Sequence, residues 1–240
     1  MVLTQEELSG LVGVKSRSPH HLLGLHQLKD GSGLVARALV PNAAKVEFEP
    51  VHEKDKPTIK LKRIPKTDVF EATTTSAQRV YAYDLVITDE AGFVRRTRDA
   101  YSFLPTLSES DLYLFGKGDE RRIYDKLGSH LRSIDGVAGA SFAVWAPNAQ
   151  RISVVGDFNH WDGRMHQMRS LGSSGVWEIF IPGIGEGAHY KYEVRDLHGT
   201  ADRTPRQMHD GAASRATRLP HARGDRSLRP PAFLSTTGWT

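Results

Sequence analysis

The sequence predicts an all-β protein in which two tandem immunoglobulin-like antiparallel β-sandwiches are followed by a disordered tail. Two observations predict the sandwiches: a pattern of segments that occurs twice along the chain, and short strands in which apolar and charged residues alternate. A third observation, an abrupt change of composition near residue 200, predicts the tail.

The repeat is carried by four landmarks that occur in the same order in both halves of the chain. A Pro-Asn-Ala element between two alternating strands begins at Pro41 and again at Pro147. The other three landmarks are a Val-aromatic-Glu triplet, a Tyr-x-Tyr pair and a closing Asp-x-x-Gly turn. These lie at residues 69–71 and 176–178, 81–83 and 190–192, and 89–92 and 196–199. Because the offset stays between 106 and 109, we interpret the halves as two copies of one module.

Each copy has the side-chain pattern of β-strands. Along residues 190–195, Tyr, Tyr and Val alternate with Lys, Glu and Arg, and residues 81–87 show the same alternation. A period of two places the apolar side chains on one face of a strand and the charged ones on the other. Short strands of this kind, separated by Pro, Asn, Asp and Gly, are typical of antiparallel sandwiches.

One short helix is predicted at the start of the chain. Thr4 and Glu7 have the spacing of a capping box, in which each side chain accepts a hydrogen bond from the other residue's backbone. The helix that begins there is expected to end near Gly10 or Gly13.

The repeat and the composition together give the predicted domain boundaries. Residues 1–98 form the N-terminal sandwich and residues 118–199 form the second sandwich. Residues 99–117 are predicted to be an ordered connector, because their aromatic and leucine side chains would be costly to leave in water. Residues 200–240 form the predicted disordered tail.

Composition excludes several classes of protein. Hydrophobic residues make up 39% and charged residues 25% of the chain, which is enough apolar surface for a core. No apolar run is long enough to cross a membrane, and the N-terminus does not resemble a signal peptide. The absence of cysteine excludes disulfides and thiolate metal sites, and it fits a cytoplasmic location.

The net charge of +4 belongs to the tail. Seven of the 32 Lys and Arg residues and three of the 28 Asp and Glu residues lie in residues 201–240, which leaves 25 of each sign in the body. A neutral body does not attract a phosphate backbone, so we predict no nucleic-acid partner. Because the tail lacks Lys, Glu, Val, Ile, Tyr and Asn, it is either a frameshifted reading of a GC-rich gene or a genuine disordered segment. The composition favours the frameshift.

Residues 155–164 of the second module read Val-Gly-Asp-Phe-Asn-His-Trp-Asp-Gly-Arg. The C–H face of a sugar ring stacks on an aromatic plane, and its hydroxyl groups bind amide, carboxylate or ammonium groups. Trp161 lies beside a predicted turn, where both binding and packing remain open, whereas Phe158 is more typical of packing. Trp145 and Trp177 lie in predicted strands and are assigned to the core.

The second module resembles the family-48 carbohydrate-binding modules that precede the catalytic barrel of branching enzymes. Residues 99–103, 111–116 and 123–128 resemble the bridge before that module in bacterial glycogen branching enzymes, and the first repeat resembles their extra N-terminal module. In glucan-binding members, the Trp of the motif, a Lys between two aromatics and a second Trp form the binding surface. The resemblance therefore implies a weak α-glucan site at Trp161, Lys191 and Asn159, since Ala201 stands near the place of the second Trp.

The resemblance also implies a parent activity, the transfer of an α-1,4-glucan segment to a 6-hydroxyl in glycogen biosynthesis. That reaction needs two carboxyl groups, which the family carries on a barrel of about 250 residues. Because 40 residues follow Thr200, we expect no catalytic residue in this chain and expect the parent's barrel to be its natural packing partner. The alternatives are a stand-alone glucan-binding or scaffolding protein and a structural remnant that binds nothing.

No cofactor or metal is predicted. His20 and His21 are adjacent on the chain, and adjacent side chains of an extended segment point apart. Because no carboxylate cluster accompanies them or His26, a metal site there is not expected.

Overall fold

The structure, a computed structural model, describes residues 3–118, 125–196 and 217–218. The chain divides into two compact units, Met1–Phe103 and Leu104–Thr240. All strand pairs are antiparallel, which confirms the predicted all-β fold class. The predicted disorder of residues 200–240 lies outside the described residues, except that Thr217–Arg218 pair with His189 and Tyr190.

The described part of the first unit contains one α-helix, two short 3-10 helices and seven strands. These are α1 (Gln5–Val12), the 3-10 helices Pro19–His21 and Ala100–Ser102, β1 (Gly24–Gln27), β2 (Leu34–Leu39), β3 (Ala43–Pro50), β4 (Ile59–Arg63), β5 (Val69–Thr74), β6 (Tyr83–Asp89) and β7 (Val94–Arg98). Helix α1 begins with the predicted capping box of Thr4 and Glu7, and Gly13 caps its end.

The described part of the second unit repeats this order of elements. They are α2 (Glu109–Lys117), β8 (Gly128–Ile134), β9 (Val137–Trp145), β10 (Ala149–Gly156), the 3-10 turn Asp157–Asn159, β11 (Arg169–Ser170), β12 (Val176–Pro182), β13 (His189–Asp196) and β14 (Thr217–Arg218). Helix α2 occupies part of the predicted connector and also begins with a capping box, formed by Ser108 and Asp111.

The strand pairings of the two units correspond one to one. In the first unit, β2 lies between β1 and β5, and β3 pairs with β6. In the second unit, β9 lies between β8 and β12, and β10 pairs with β13. Both units also have a register shift at the same place, after Ala43 and after Ala149. The two copies predicted from the sequence are therefore two copies of one fold.

The register corrects one detail of the repeat. Tyr83 lies opposite Pro50 on β3, and Tyr190 lies opposite Gly156 at the matching end of β10. Tyr190 is therefore the counterpart of Tyr83, whereas the sequence pattern pairs it with Tyr81. A Tyr-x-Tyr pair occurs in both halves, but relative to the strand register the two pairs are shifted by two residues, which is one repeat of the strand pattern.

The repeat extends further toward the N-terminus than the sequence pattern indicates. Each first strand begins with Leu-Gly-x-His, at Leu23–His26 and at Leu127–His130. In both copies the histidine Nε2 lies close to the carbonyl oxygen of the leucine, at 2.7 Å and 2.9 Å. Gly24 and Gly128 have φ angles of +101° and +98°, a region that other residues rarely adopt. The helix and this turn therefore belong to the repeated unit.

A helix and the turn after it cover one outer face of each sandwich. In the first unit this apolar cluster comprises Leu3, Leu8, Leu11, Leu22, Leu23, Leu39, Ile64, Val69 and Tyr101. In the second unit it comprises Leu107, Leu112, Phe115, Leu127, Ala143, Trp145, Leu171 and Val176. The separate core of the first sandwich includes Phe48 and Tyr83, whose rings are stacked at 4.2 Å.

A buried glutamate in each unit binds the backbone just before the helix. Glu71 Oε2 accepts hydrogen bonds from the Leu3 backbone N–H at 3.1 Å and from Arg37 Nε at 3.0 Å. Glu178 Oε2 accepts hydrogen bonds from the backbone N–H and the hydroxyl of Thr106, at 2.9 Å and 2.6 Å. Each carboxylate therefore fixes the start of its own unit.

The arginine that neutralises the glutamate differs between the units. Arg37 on β2 lies directly opposite Glu71, whereas Ala143 occupies the matching place on β9. Arg169 on β11 instead donates from Nε to Glu178 Oε1 at 2.7 Å. Its counterpart in the first unit is Lys62, which lies opposite Glu71 on β4. Both units therefore keep a glutamate–arginine pair. The arginine lies on one neighbour of the glutamate's strand in the first unit (β2) and on the other neighbour in the second unit (β11).

Candidate functional site

The connection between β10 and β11 is the part of the second unit that carries the predicted site residues. It begins with the 3-10 turn Asp157–Asn159 and returns to β10, where Gln167 forms a bridge with Ser153. Between these points the chain crosses to β13, since a Cβ added at Gly163 would lie 3.0 Å from the Glu193 carboxylate. We call residues 157–168 the β10–β11 loop.

Two consecutive residues of this loop have left-handed backbone angles. The φ angles are +54° at His160 and +60° at Trp161. Such angles are uncommon outside glycine, asparagine and aspartate, so this conformation is maintained by the surrounding hydrogen bonds. The Trp161 backbone N–H donates to the Gly156 carbonyl at 3.0 Å, and the Asp162 N–H donates to the Asn159 carbonyl at 3.0 Å. The tight turn brings the Trp161 side chain to the surface.

Trp161 and Lys191, two of the predicted site residues, lie together. The Trp161 side chain is 42% exposed, which is unusual for an aromatic residue of this size. The ammonium group of Lys191 lies over the indole ring, 5.8 Å from its centroid, in cation–π geometry. An exposed apolar ring with an adjacent cation therefore forms the candidate site.

Asn159, the third predicted site residue, lies beneath the turn. It is 1% exposed, its Oδ1 accepts from the Gly156 N–H at 2.9 Å, and its Nδ2 donates to the Val154 carbonyl at 2.8 Å. Its Nδ2 also lies 2.8 Å from His166 Nδ1. These hydrogen bonds use the Asn159 amide to hold the loop in its conformation. The residue therefore supports the turn that carries Trp161.

Sequence reasoning does not single out Asp157 or His189, which also lie at the site. Asp157 Oδ1 accepts a hydrogen bond from the indole N–H of Trp161 at 3.0 Å. Asp157 Oδ2 also lies 3.5 Å from His189 Nδ1 at the start of β13. Asp157 is part of the Gly-Asp-Phe-Asn sequence, but its contact with Trp161 depends on the left-handed turn. The pattern therefore contains the residue without indicating its role.

The end of the turn is held by an ion pair between close neighbours. The Arg164 side chain donates from Nε to both carboxylate oxygens of Asp162 at 3.0 Å and from Nη2 to Oδ2 at 2.7 Å. Burial raises the pKa of Asp162, but the hydrogen bonds from the Arg164 side chain and backbone outweigh this effect and lower it overall. The carboxylate is therefore committed to Arg164.

The remaining aromatic predictions agree with the packing. Phe158 is half-buried, and a Cβ at Gly156 would lie 2.5 Å from its ring. Trp177 is fully buried, and its indole N–H donates to the Ala146 carbonyl at 3.1 Å. Trp145 is half-buried against the ring of Phe115, with the two centroids 6.0 Å apart.

The described residues hold no group of three His, Asp or Glu side chains that could coordinate a metal ion. His20 is buried in the first unit, where its ring contacts Tyr101 edge-on at 4.9 Å. Burial also lowers the pKa of His26 below its ordinary value. A search of the described residues finds no helix with the length and apolar character needed to span a membrane.

The second unit matches a family of carbohydrate-binding modules. The family described as "Carbohydrate-binding module 48 (Isoamylase N-terminal domain)" matches residues 126–208, a range that contains the β10–β11 loop and β13. The family described as "alpha-1,4-glucan branching enzyme GlgB, N-terminal domain" matches residues 4–101. The chain therefore belongs to the bacterial 1,4-alpha-glucan branching enzyme family and corresponds to its N-terminal region.

Similar curated proteins carry the same family name. The chain is 44% identical over 193 residues to the 1,4-alpha-glucan branching enzyme GlgB of Myxococcus xanthus, with 80% of this chain and 26% of that protein covered. It is 46% identical over 183 residues to the enzyme of Thiobacillus denitrificans, with 75% and 24% covered. The chain thus spans about a quarter of the length of these curated relatives.

Among solved structures, one match is the apo pullulanase of Klebsiella pneumoniae. The identity is 16% and the TM-score 0.26, with 72% of this chain and 20% of that chain covered. A TM-score this low carries no argument about fold or function.

Proposed function

We propose that this chain binds α-glucan weakly through Trp161 and Lys191 and acts as a non-catalytic part of glycogen branching. The observation that carries the proposal is the exposed Trp161 indole with the Lys191 ammonium over it. The match of this unit to a carbohydrate-binding family supports the same assignment.

The indole of Trp161 has the chemistry that a glucose ring requires. Its flat apolar surface can stack against sugar C–H groups, and its orientation is fixed in advance because its N–H is bound to Asp157. A ring that is already oriented loses little conformational freedom on binding. Each stacking contact should contribute about 1 kcal/mol to binding.

Lys191 would supply the polar part of the site. It lies on β13 between Tyr190 and Tyr192, and the Tyr190 side chain is buried. Because neighbouring residues of a strand point to opposite faces, Lys191 projects away from Tyr190 and toward Trp161. Its ammonium group can donate hydrogen bonds to sugar hydroxyls beside the stacked ring.

One aromatic ring and one ammonium group make a small binding surface. We therefore expect a millimolar dissociation constant, which corresponds to about −4 kcal/mol. The position of a possible second aromatic, near Ala201, lies outside the described residues. Weak binding of this kind would become useful on glycogen, which offers many chain ends to a single protein molecule.

The activity of the whole enzyme is a further part of the proposal. The relatives are named 1,4-alpha-glucan branching enzymes, and the parent reaction would transfer an α-1,4-glucan segment to a 6-hydroxyl. A catalytic barrel would be the natural packing partner of these two units, and glycogen synthesis would place the chain in the cytoplasm. We expect the purified chain to leave the iodine spectrum of amylose unchanged.

Affinity electrophoresis in gels that contain glycogen tests the site. We expect the parent chain to be retarded, and Trp161→Ala or Lys191→Ala to abolish the retardation while circular dichroism shows a folded protein. Tyr113 and Lys117 provide the matched control, since they form another exposed aromatic–lysine pair in the same unit, with the ammonium 4.6 Å from the ring centroid. Tyr113→Ala should leave the retardation unchanged.

Two outcomes would contradict the proposal. If the Trp161 and Lys191 variants are retarded as strongly as the parent chain, glucan binds elsewhere. If the parent chain is not retarded at all, the alternative that the unit serves only to pack against other parts of a branching enzyme would be preferred.

A further inference from the structure

Arg151 on β10 is the most poorly satisfied charged group in the described part of the chain. Its side chain is 3% exposed, and its Nη2 lies 3.2 Å from Glu193 Oε1. Its Nε and Nη1 are also buried, and neither has a hydrogen-bond partner among the described residues. A buried guanidinium normally has acceptors for most of its five N–H groups, so this arrangement requires an explanation.

The electrostatic surroundings of Arg151 add to the anomaly. Arg195 lies directly opposite Arg151 on β13, and Glu193, the carboxylate that pairs with Arg151, lies two residues before Arg195 on the same strand. Burial, and then the charge of Arg195, lower the pKa of Arg151 to about 10, although Glu193 acts in the opposite direction. The local charge around the buried Arg151 side chain is therefore positive, whereas Glu193 and Arg195 are half-buried.

A hydroxyl group lies on the same face of the sheet. Ser153 follows Arg151 by two residues on β10 and lies opposite Glu193, so all four side chains emerge on one face. Ser153 is 0% exposed, and its Oγ has no hydrogen-bond partner among the described residues. Two neighbouring side chains on one strand thus present unused donors on one side of the sheet.

The first unit has no such arrangement at the matching positions. Lys45 takes the place of Arg151 and is exposed, and Thr88 lies opposite it in place of Arg195. The scaffold therefore does not need a buried arginine at this point. The cationic cluster is a property of the second unit alone, among the described residues.

We propose that Arg151, Ser153 and Arg195 form a binding site for a compact oxyanion. Two guanidinium groups exceed the single carboxylate by one charge, and an oxyanion would neutralise this excess and accept from the unused N–H and O–H donors. Phosphate and carboxylate groups share that chemistry. The site lies on the face that carries Lys191, next to the contact between Gly163 and Glu193, but it does not depend on glucan binding.

Titration of the full chain with inorganic phosphate at constant ionic strength tests the proposal. We expect saturable binding by calorimetry and, for a millimolar site, a rise of about 5 °C in the melting temperature at ~10 mM phosphate. The ¹⁵N resonance of the Arg151 Nε–H group should shift during the titration. This signal reports on Arg151 without a substitution that could prevent folding. Formate serves as the parallel carboxylate probe and distinguishes the two sources of the oxyanion.

Arg195→Gln and Ser153→Ala are the test variants, and Arg132→Gln is the control, since Arg132 is an exposed arginine of the same unit. Arg195→Gln should weaken binding at least tenfold, whereas Arg132→Gln should bind as the parent does. Because phosphate stabilises many proteins through exclusion from their surface, the difference between parent and Arg195→Gln is the decisive quantity. An equal thermal shift in both proteins, or no shift beyond that of chloride, overturns the proposal.

Discussion

The two units share one scaffold but differ in the connection between their third and fourth strands. In the first unit, β4 spans Ile59–Arg63 and pairs with both β3 and β5, so it joins the two sheets into one. In the second unit, the corresponding β11 spans only Arg169–Ser170 and, among the described strands, pairs with β12 alone. Residues 157–168, which precede it, form the β10–β11 loop instead.

This difference separates the part of the scaffold that both units share from the part that carries the proposed binding surface. The first unit uses the connection to close the gap between its sheets by strand pairing. The second unit gives up part of that pairing and presents Trp161 beside β13. Features that both units retain, such as the buried glutamate and the Leu-Gly-x-His turn, therefore concern folding, whereas the feature that differs carries the proposed binding site.

The largest expected effect on stability concerns Arg37 and Arg169, which neutralise the buried glutamates from different strands in the two units. Arg37→Ala would leave the buried Glu71 without its cation and should lower the free energy of unfolding by about 3–5 kcal/mol. Adding Lys62→Arg to this variant would recreate the arrangement of the second unit, in which Arg169 takes that place, and should restore part of the loss. Urea unfolding measures both effects.

The control for this exchange is Lys60→Arg in the Arg37→Ala background. Lys60 lies on the same strand, but its side chain is 81% exposed, so the substitution should restore nothing. An equal gain in the free energy of unfolding from Lys60→Arg and Lys62→Arg would show that an arginine at position 62 does not specifically replace Arg37 as the partner of Glu71.

The second prediction concerns a buried acid that the described part of the second unit does not repeat. Asp99 accepts hydrogen bonds from the Tyr83 hydroxyl at 2.6 Å and from the Tyr101 N–H at 3.0 Å. Burial raises the pKa of Asp99 to about 6, although these hydrogen bonds act in the opposite direction. Tyr190, the counterpart of Tyr83, donates to the neutral hydroxyl of Ser129 instead.

Because the folded pKa of Asp99 lies above the unfolded value, its contribution to stability is present below about pH 4 and is lost as the pH rises through 6. Asp99→Asn should therefore gain about 3 kcal/mol relative to the parent chain between pH 4 and pH 7. Urea unfolding at a series of pH values measures this difference. A difference that stays constant with pH would refute the assignment.

The third prediction compares the glycines of the two Leu-Gly-x-His turns. Both have φ angles near +100°, so alanine at either place should cost about 1–3 kcal/mol. A Cβ at Gly24 would also lie 3.3 Å from the Tyr83 hydroxyl, whereas the nearest atom to one at Gly128 is 4.0 Å away. Thermal unfolding should therefore show the larger loss for Gly24→Ala. Equal losses would mean that backbone strain alone decides.

The smallest effect is expected at the two capping boxes. Thr4→Ala and Ser108→Ala should each cost about 1 kcal/mol, because each removes the acceptor for a backbone N–H in the first turn. Helix α1 buries Leu8 and Leu11, but α2 has no fully buried residue. Amide hydrogen exchange should therefore increase more in α2 than in α1, and the reverse order would contradict the comparison.

Much of the fold could be predicted because the repeat is visible in the sequence. The alternation along residues 81–87 and 190–195 indicates strands, and four landmarks at a nearly constant offset indicate two copies. The family resemblance groups Trp161 with Lys191, and their side chains do lie together.

The rest depends on contacts that a local pattern does not contain. The two helices share a capping box but little other sequence, so residues 99–117 resemble a connector. Asn159 has the side chain of a sugar-binding residue, and only the folded turn shows that its amide is used internally. Asp157 contacts Trp161 because the Trp161 backbone has a left-handed conformation, which is uncommon for tryptophan and is not indicated by the sequence.

The buried glutamates affect the order in which parts of the chain can fold during synthesis. The Leu3 N–H group binds a carboxylate 68 residues further along the chain, and Thr106 binds one 72 residues further along. As the chain leaves the ribosome, neither N-terminal segment can be fixed until its glutamate has also emerged. The first residues of each unit can therefore form this hydrogen bond only after 68 or 72 further residues have been made.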